Sequence, residues 1–251
     1  MTHCDVLVIS PHPDDAEIGC GGTLASLSKR GYKVIVADLT RGELGSRGTP
    51  EQRAEEAEAA TSLLGLASRL NLELPDGALS SRDDRQISAV IECLRTLRPR
   101  VLLVAAPDGR HPDHDEGALL MKRALFLAGL RKFASGQEPL ISPPTVLEYA
   151  TRRQFHVSFV VDVTSVYETK LTAIRAFKTQ LGLDSASGST TLMSSPLTLE
   201  AIKGRDALWG SMIGTAYGEG FRTVSPLRID DPFAFFSNAP TTGALLFPEP
   251  L

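Results

Sequence analysis

Three observations predict an α/β fold for this chain. Short β-branched apolar runs, Cys4–Ile9, Lys33–Asp38 and Val101–Ala106, are too brief for useful helices and read as buried strands. Between them lie longer stretches with a helical apolar stripe, as in Asp84–Leu97, where Ile87, Val90, Ile91 and Leu94 share one face. The 251 residues, with no interdomain linker or internal repeat, suffice to bury one full core. Strands that alternate with helices build a parallel sheet covered on both faces. The expected architecture is therefore a single-domain, Rossmann-like, mostly parallel sheet flanked by helices, with a smaller C-terminal subregion.

Each element follows from local chemistry. After the first strand, Glu17–Thr23 is glycine-rich and precedes a helical run from Leu24 to Arg30 that Gly31 stops. Its glycines lack the Gly-x-Gly-x-x-Gly spacing of a dinucleotide turn, so close backbone packing is the expected reason for them, and a nicotinamide cofactor is not expected. The second strand leads into a loop, Thr40–Pro50, and then a helix, Glu51–Leu64, with Thr49 as cap and Pro50 at its first position. Leu70–Leu74 reads as a third strand, closed by the turn Pro75-Asp76-Gly77. Leu119, Leu120, Ala124, Leu125 and Leu127 mark a helical face; 134–144 is a proline-containing loop, and Val146–Tyr149 and Phe159–Val163 are further strands. Thr164–Lys178 is expected to form one amphipathic helix capped by Thr164 or Ser165. Residues 181–196, rich in Gly, Ser and Thr, read as a mobile lid. Beyond Arg228 the chain is rich in Pro and Phe without periodicity, as in an oligomer contact or a loose tail.

Bulk properties narrow the function classes. A formal charge of -4 without a long Lys/Arg run argues against nucleic-acid or membrane-surface partners. The first residues lack the pattern of a secretory leader and no run approaches membrane-spanning length, which makes the cytoplasm the expected location. Cys4, Cys20 and Cys93 have no Cys-x-x-Cys spacing and read as small buried hydrophobes rather than a disulfide framework or zinc knuckle.

Chemistry concentrates in two loops. Ser10-Pro11-His12-Pro13-Asp14-Asp15 leaves the first strand, and Arg110-His111-Pro112-Asp113-His114 follows the strand at Val101–Ala106. Both should lie at the carboxyl edge of the sheet, where ligands bind in open α/β folds. Together they hold three of the five histidines in the chain. His12 and Asp15 are N and O ligands of the kind zinc accepts, with a second histidine expected from the other loop. Either loop alone would also suit a simple helix cap; the pair, each after a buried strand, favours a metal site. Arg53 sits in the first turn of a helix, where a cation is mildly unfavourable against the dipole; a surface pair with Glu56 is one explanation, a substrate contact the other.

The two motifs, Pro-His-Pro-Asp-Asp at 11–15 and His-Pro-Asp-His at 111–114, resemble the signature of the zinc-dependent N-acetylglucosamine deacetylases of the LmbE or PIG-L family. Further stretches at 38–45, 53–57, 71–77, 129–132, 177–180 and 217–221 resemble the branch that acts on N-acetylglucosaminyl-malate in bacillithiol biosynthesis. The similarity runs over roughly residues 4–228, which implies a deacetylase domain at 1–228 and a C-terminal tail at 229–251. The resemblance implies one zinc ion held by His12, Asp15 and His114, and a small N-acetylglucosaminyl substrate. It also implies a homo-oligomer, a trimer or hexamer. Asp14 would be the general base, protonated His111 would assist at the oxyanion and leaving amine, and Asp113 would orient His111. Arg53 and Arg110 would bind a substrate carboxylate such as that of malate. The same donor set accepts other first-row ions. Other N-acetyl sugar conjugates, and a non-catalytic zinc- or carbohydrate-binding protein on the same scaffold, are the alternatives.

Overall fold

Seven strands form one sheet in the order β3-β2-β1-β4-β5-β7-β6. In this computed structural model the described residues are 3–107, 109–133, 136–152, 155–184 and 189–237. Strands β1 (Val6–Ser10), β2 (Val34–Thr40), β3 (Ser68–Leu74), β4 (Val101–Ala105) and β5 (Thr145–Tyr149) run parallel. At the far edge β7 (Gly218–Thr223) lies antiparallel between β5 and β6 (Phe159–Asp162). The expected mostly parallel, helix-flanked sheet is present.

Alternate residues of β1 face opposite cores, as a doubly covered parallel strand requires. Leu7 and Ile9 pack with Ile87, Ile91 and Leu120 from α3 (Asp84–Leu97) and α4 (Pro112–Ala128). Val6 and Val8 pack on the other side with Leu24, Ala60 and Leu171 from α1 (Asp15–Lys29), α2 (Pro50–Leu64) and α5 (Tyr167–Ala176). The connections from β1 and β4 thus leave toward opposite faces. Their carboxyl ends flank a crevice, the switch point at which such sheets bind ligands.

The start of α2 forms as expected: Thr49 caps Gln52 N, Gln52 returns the bond to Thr49 N, and Pro50 is the first helical residue. The glycine-rich stretch differs. It belongs to α1, which begins at Asp15 and kinks at Cys20. A Cβ on Gly19 would lie 2.2 Å from Tyr149 Cδ2, and one on Gly22 would lie 2.8 Å from Val163 Cβ. The glycines are there for close packing, as expected, but within a helix that periodicity alone did not reveal.

The C-terminal subregion also departs from expectation. The single helix over 164–178 is broken into a 3-10 turn at Thr164–Val166, then α5, and after Phe177 a short α6 (Lys178–Leu181). Neither Thr164 nor Ser165 caps it; the Thr164 hydroxyl donates to Tyr217 O instead. Helix α7 (Thr198–Met212) and β7 follow. Lys170 of α5, fully buried, donates to Asp206 of α7 at 2.7 Å and Glu219 of β7 at 2.6 Å. Glu219 in turn accepts from the amides of Gly22 and Thr23, at 2.8 and 2.7 Å, just past the kink in α1. This charged knot ties the subregion to the helix that carries Asp15.

Residues 185–188 of the expected lid, and 238–251 of the tail, lie outside the described residues. On either side of 185–188, Arg47 holds the segment through Thr179 O, Asp184 and Ser189 O. The short α8 (Pro232–Ser237) is exposed. Cys4, Cys20 and Cys93 are buried free thiols. Among the described residues no helix is long and apolar enough to cross a membrane.

Candidate metal centre

The loop after β1 is held in place by its own backbone and by β2. Ser10 Oγ donates to His12 O at 2.6 Å, while Thr40 N and Oγ1 donate to Pro11 O at 3.1 and 3.0 Å. Asp14 occupies the N-cap of α1 with φ 127°, a backbone region that favours glycine, and its side chain makes no capping bond. A cap alone would not require this strain. The conformation instead leaves the carboxyl among the residues that line the cavity over the sheet edge.

The second loop delivers its histidines from the start of α4. His111 is the N-cap residue, and its Nδ1 accepts from Asp113 N at 3.3 Å, which places the proton of a neutral ring on Nε2. Pro112 opens the helix. His114, one turn in, is buried, and its Nδ1 shares a 3.2 Å hydrogen bond with Thr151 Oγ1. That contact leaves Nε2 facing the first loop.

The two loops meet because β1 and β4 are neighbours. Asp15 Oδ2 lies 3.2 Å from His12 Nδ1 and 3.1 Å from His114 Nε2. Ligand atoms of His12, His111 and His114 all fall within 4.8 Å of one another. Two imidazole nitrogens converging with a carboxylate oxygen are a donor set suited to zinc or another first-row divalent ion, so the residues present fit such a group.

Electrostatics agree with a cation site. Burial opposes a charge on His12, but Asp113, Asp15 and Asp76 outweigh it and raise its pKa to about 12. Burial likewise opposes ionisation of Asp15, yet His114 and His12 hold its carboxyl well below the usual range. The cluster is acidic enough to retain a positive charge, and a metal would take the place of that proton. Asp14 moves the other way: burial raises it to about 7, against the lowering effect of Arg53.

Three expected roles are realised differently. Asp113 does not direct its carboxylate at His111; Oδ2 lies 3.1 Å from His12 Nε2 and accepts from Gly77 N at 2.7 Å, while Oδ1 accepts from Leu79 N at 3.2 Å. His111 is pushed below its ordinary pKa, first by burial and then by His12 and His114, which disfavours the protonated form expected to assist at the oxyanion and leaving amine. Arg53 is buried rather than paired with Glu56, whose carboxylate accepts from Thr179. Arg53 donates to Pro13 O at 2.5 Å and lies 3.5 Å from Asp14 Oδ1. It lines the cavity, but its donors serve Pro13 O in the loop after β1 and Gly42 O. Arg110 lies at the cavity wall as expected.

Residues that sequence reasoning passed over complete the site. Asp76, in the turn after β3, places Oδ1 3.2 Å from His12 Nε2 and accepts from Leu44 N at 2.8 Å. Arg152 and Thr191–Met193 add to the walls of a cavity of about 430 Å³. The Asp76-Gly77 turn was visible as a turn; nothing local signalled that it faces His12.

Fold and cluster together define the class: an α/β protein with a His/Asp group able to hold a metal at the switch point of its sheet. The pattern of the family described as "PIG-L: GlcNAc-PI de-N-acetylase" matches residues 7–125. A diacetylchitobiose deacetylase from Thermococcus kodakarensis is 31% identical over 236 residues, covering 87% of this chain and 82% of that protein. A probable N-acetyl-α-D-glucosaminyl L-malate deacetylase 2 from Bacillus subtilis is 31% identical over 191 residues, covering 70% of this chain and 82% of that one. The solved structure of the conserved protein TT1542 from Thermus thermophilus superposes with a TM-score of 0.81 at 37% identity, over 90% of this chain and 97% of its own. The chain belongs to the PIG-L/LmbE family of N-acetyl-hydrolysing enzymes.

Proposed function

We propose that the protein removes the N-acetyl group from an N-acetylglucosaminyl conjugate in a zinc-dependent hydrolysis, with N-acetylglucosaminyl-L-malate as the leading substrate. The observation that carries this reading is the placement of Asp14, a buried carboxyl that caps nothing and lines the cavity beside the donor set of His12, Asp15 and His114. Its pKa, raised to about 7, suits a general base. A pure binding site needs no such group.

His12, Asp15 and His114 would hold the ion, which when bound polarises the acetyl carbonyl and lowers the pKa of a water. Asp14 takes the proton of the attacking water. The Nε2–H of His111 faces the developing oxyanion as a hydrogen-bond donor, so a neutral ring serves the role for which a protonated one was expected. The amide C–N bond then breaks, the proton held by Asp14 passes to the nitrogen, and acetate and a free amine leave. Thr151 and Asp113 keep the rings of His114 and His12 aimed at the ion.

Malate is favoured by the Bacillus subtilis relative and by the guanidinium of Arg110 at the cavity wall, now joined by Arg152. The Thermococcus kodakarensis relative makes a chitooligosaccharide the main competitor. Amine release from N-acetylglucosaminyl-malate, diacetylchitobiose and N-acetylglucosamine, with metal-stripped protein before and after zinc addition, separates these. Zinc-dependent release that prefers the malate conjugate is the expected result. Equal release from all three would discard the malate assignment, and no release from any would overturn the deacetylase reading.

A further inference from the structure

A second cavity of about 520 Å³ adjoins the catalytic one and shares Arg110, Arg152, Leu192 and Met193 with it. One face of α7 forms its far wall: Leu197, Thr198, Ala201, Ile202 and Arg205 recur at the three-and-four spacing that aligns side chains on a helix. Arg205 fixes the shape of the cavity by donating to Thr151 O and Ile18 O, both at 2.6 Å. The lining is mainly apolar, yet Leu192 is 56% and Leu197 72% exposed. Apolar side chains left to water at the mouth of a built cavity favour a ligand that covers them.

We propose that this cavity is the subsite for the aglycone of the substrate, and that it selects an aglycone with an acidic group next to the sugar and an apolar body beyond it. The inference rests on the deacetylase reading only in placing the acetamide over Asp14. The junction between the cavities is bordered by two guanidinium groups, which match a carboxylate and disfavour passage of a plain apolar chain. Past the junction Ile18, Leu197, Ala201 and Ile202 supply apolar wall, beside Thr198 and Arg205, and match an aryl or alkyl group. Malate satisfies the first requirement and leaves the second unused.

The test uses matched N-acetylglucosaminides of malate, of 3-phenyllactate, and of 2-phenylethanol. Phenyllactate keeps the carboxylate beside the glycosidic carbon and replaces the second carboxylate with a phenyl ring; phenylethanol keeps the ring and loses the acid. Binding is measured by calorimetric titration into zinc-loaded Asp14→Asn protein, in which turnover is expected to be about 10²- to 10⁴-fold slower and is checked by acetate assay after each titration. The phenyllactyl conjugate should bind about tenfold more tightly than either of the others, the gain expected from burying a phenyl group or pairing a carboxylate. Ala201→Trp, at an exposed position of α7 where the larger side chain fills the cavity without disturbing the core, should bring the phenyllactyl-to-malyl ratio close to one. Arg152→Gln should do the same for the phenyllactyl-to-phenylethyl ratio. Equal affinities in the unsubstituted cavity would overturn the proposal. So would a ratio that survives Ala201→Trp, or an N-hexanoyl group that gains affinity sensitive to that substitution. Acetate release by the unmodified enzyme is scored separately: if it fails while the affinity order holds, the hydrolase reading falls and the subsite stands.

Discussion

Asp113 Oδ2 lies 3.1 Å from His12 Nε2, a contact that joins the two loops of the site across 101 positions of sequence. With Gly77 N and Leu79 N donating to the same carboxylate, Asp113 is itself fixed. It accepts from His12 Nε2, an arrangement that would leave Nδ1, the atom nearest Asp15, for the proposed metal. Asp113→Ala should therefore weaken zinc binding about 10- to 100-fold, as loss of a carboxylate behind a ligating histidine does. Competition with a chromogenic chelator measures it; unchanged affinity would count against this role.

In its proposed role as base, Asp14 would act only when ionised. Burial raises its pKa to about 7, so kcat/KM should fall as pH drops through about 7. The Arg53 charge lowers that pKa, so Arg53→Gln should move the acid limb to higher pH, while Asp14→Asn should lower kcat about 10²- to 10⁴-fold without loss of bound zinc. pH–rate profiles of the three proteins give the answer. A limb that Arg53→Gln leaves in place would separate Arg53 from Asp14.

Lys170 is fully buried between Asp206 and Glu219. Removing one partner from a buried charge cluster leaves the others uncompensated, and Lys170→Met should destabilise the fold by about 3–5 kcal/mol. Lys203→Met, which removes the solvent-facing pair with Glu200, should cost no more than about 1 kcal/mol. Urea unfolding of the two variants compares them directly.

Gly19 has no room for a methyl group: its Cβ would meet Tyr149, whose hydroxyl donates to Ile9 O at 2.9 Å beneath the His12 loop. Gly19→Ala should cost about 1–3 kcal/mol through overpacking, read as a lower melting temperature. Displacement of Tyr149 should also lower kcat, because the ring supports the end of β1.

What the sequence determined by itself was local. The β-branched runs specified buried strands, Thr49-Pro50 announced the start of α2, and the two His/Pro/Asp stretches, each following a strand, marked the chemistry and its place at the sheet edge. These signals act through backbone preferences and side-chain spacing within a few residues, so no partner need be known. Tertiary structure decided the partners. Asp113 faces His12 rather than the nearby His111, and Arg53 serves Asp14 and Pro13 instead of Glu56, because strand order sets β1 between β2 and β4. Asp76, Thr151 and Arg152 join the site, and Glu219 reaches the kink in α1, from segments far along the chain. Such contacts depend on which loops the sheet brings to one edge, and hydrophobic periodicity carries no record of that choice.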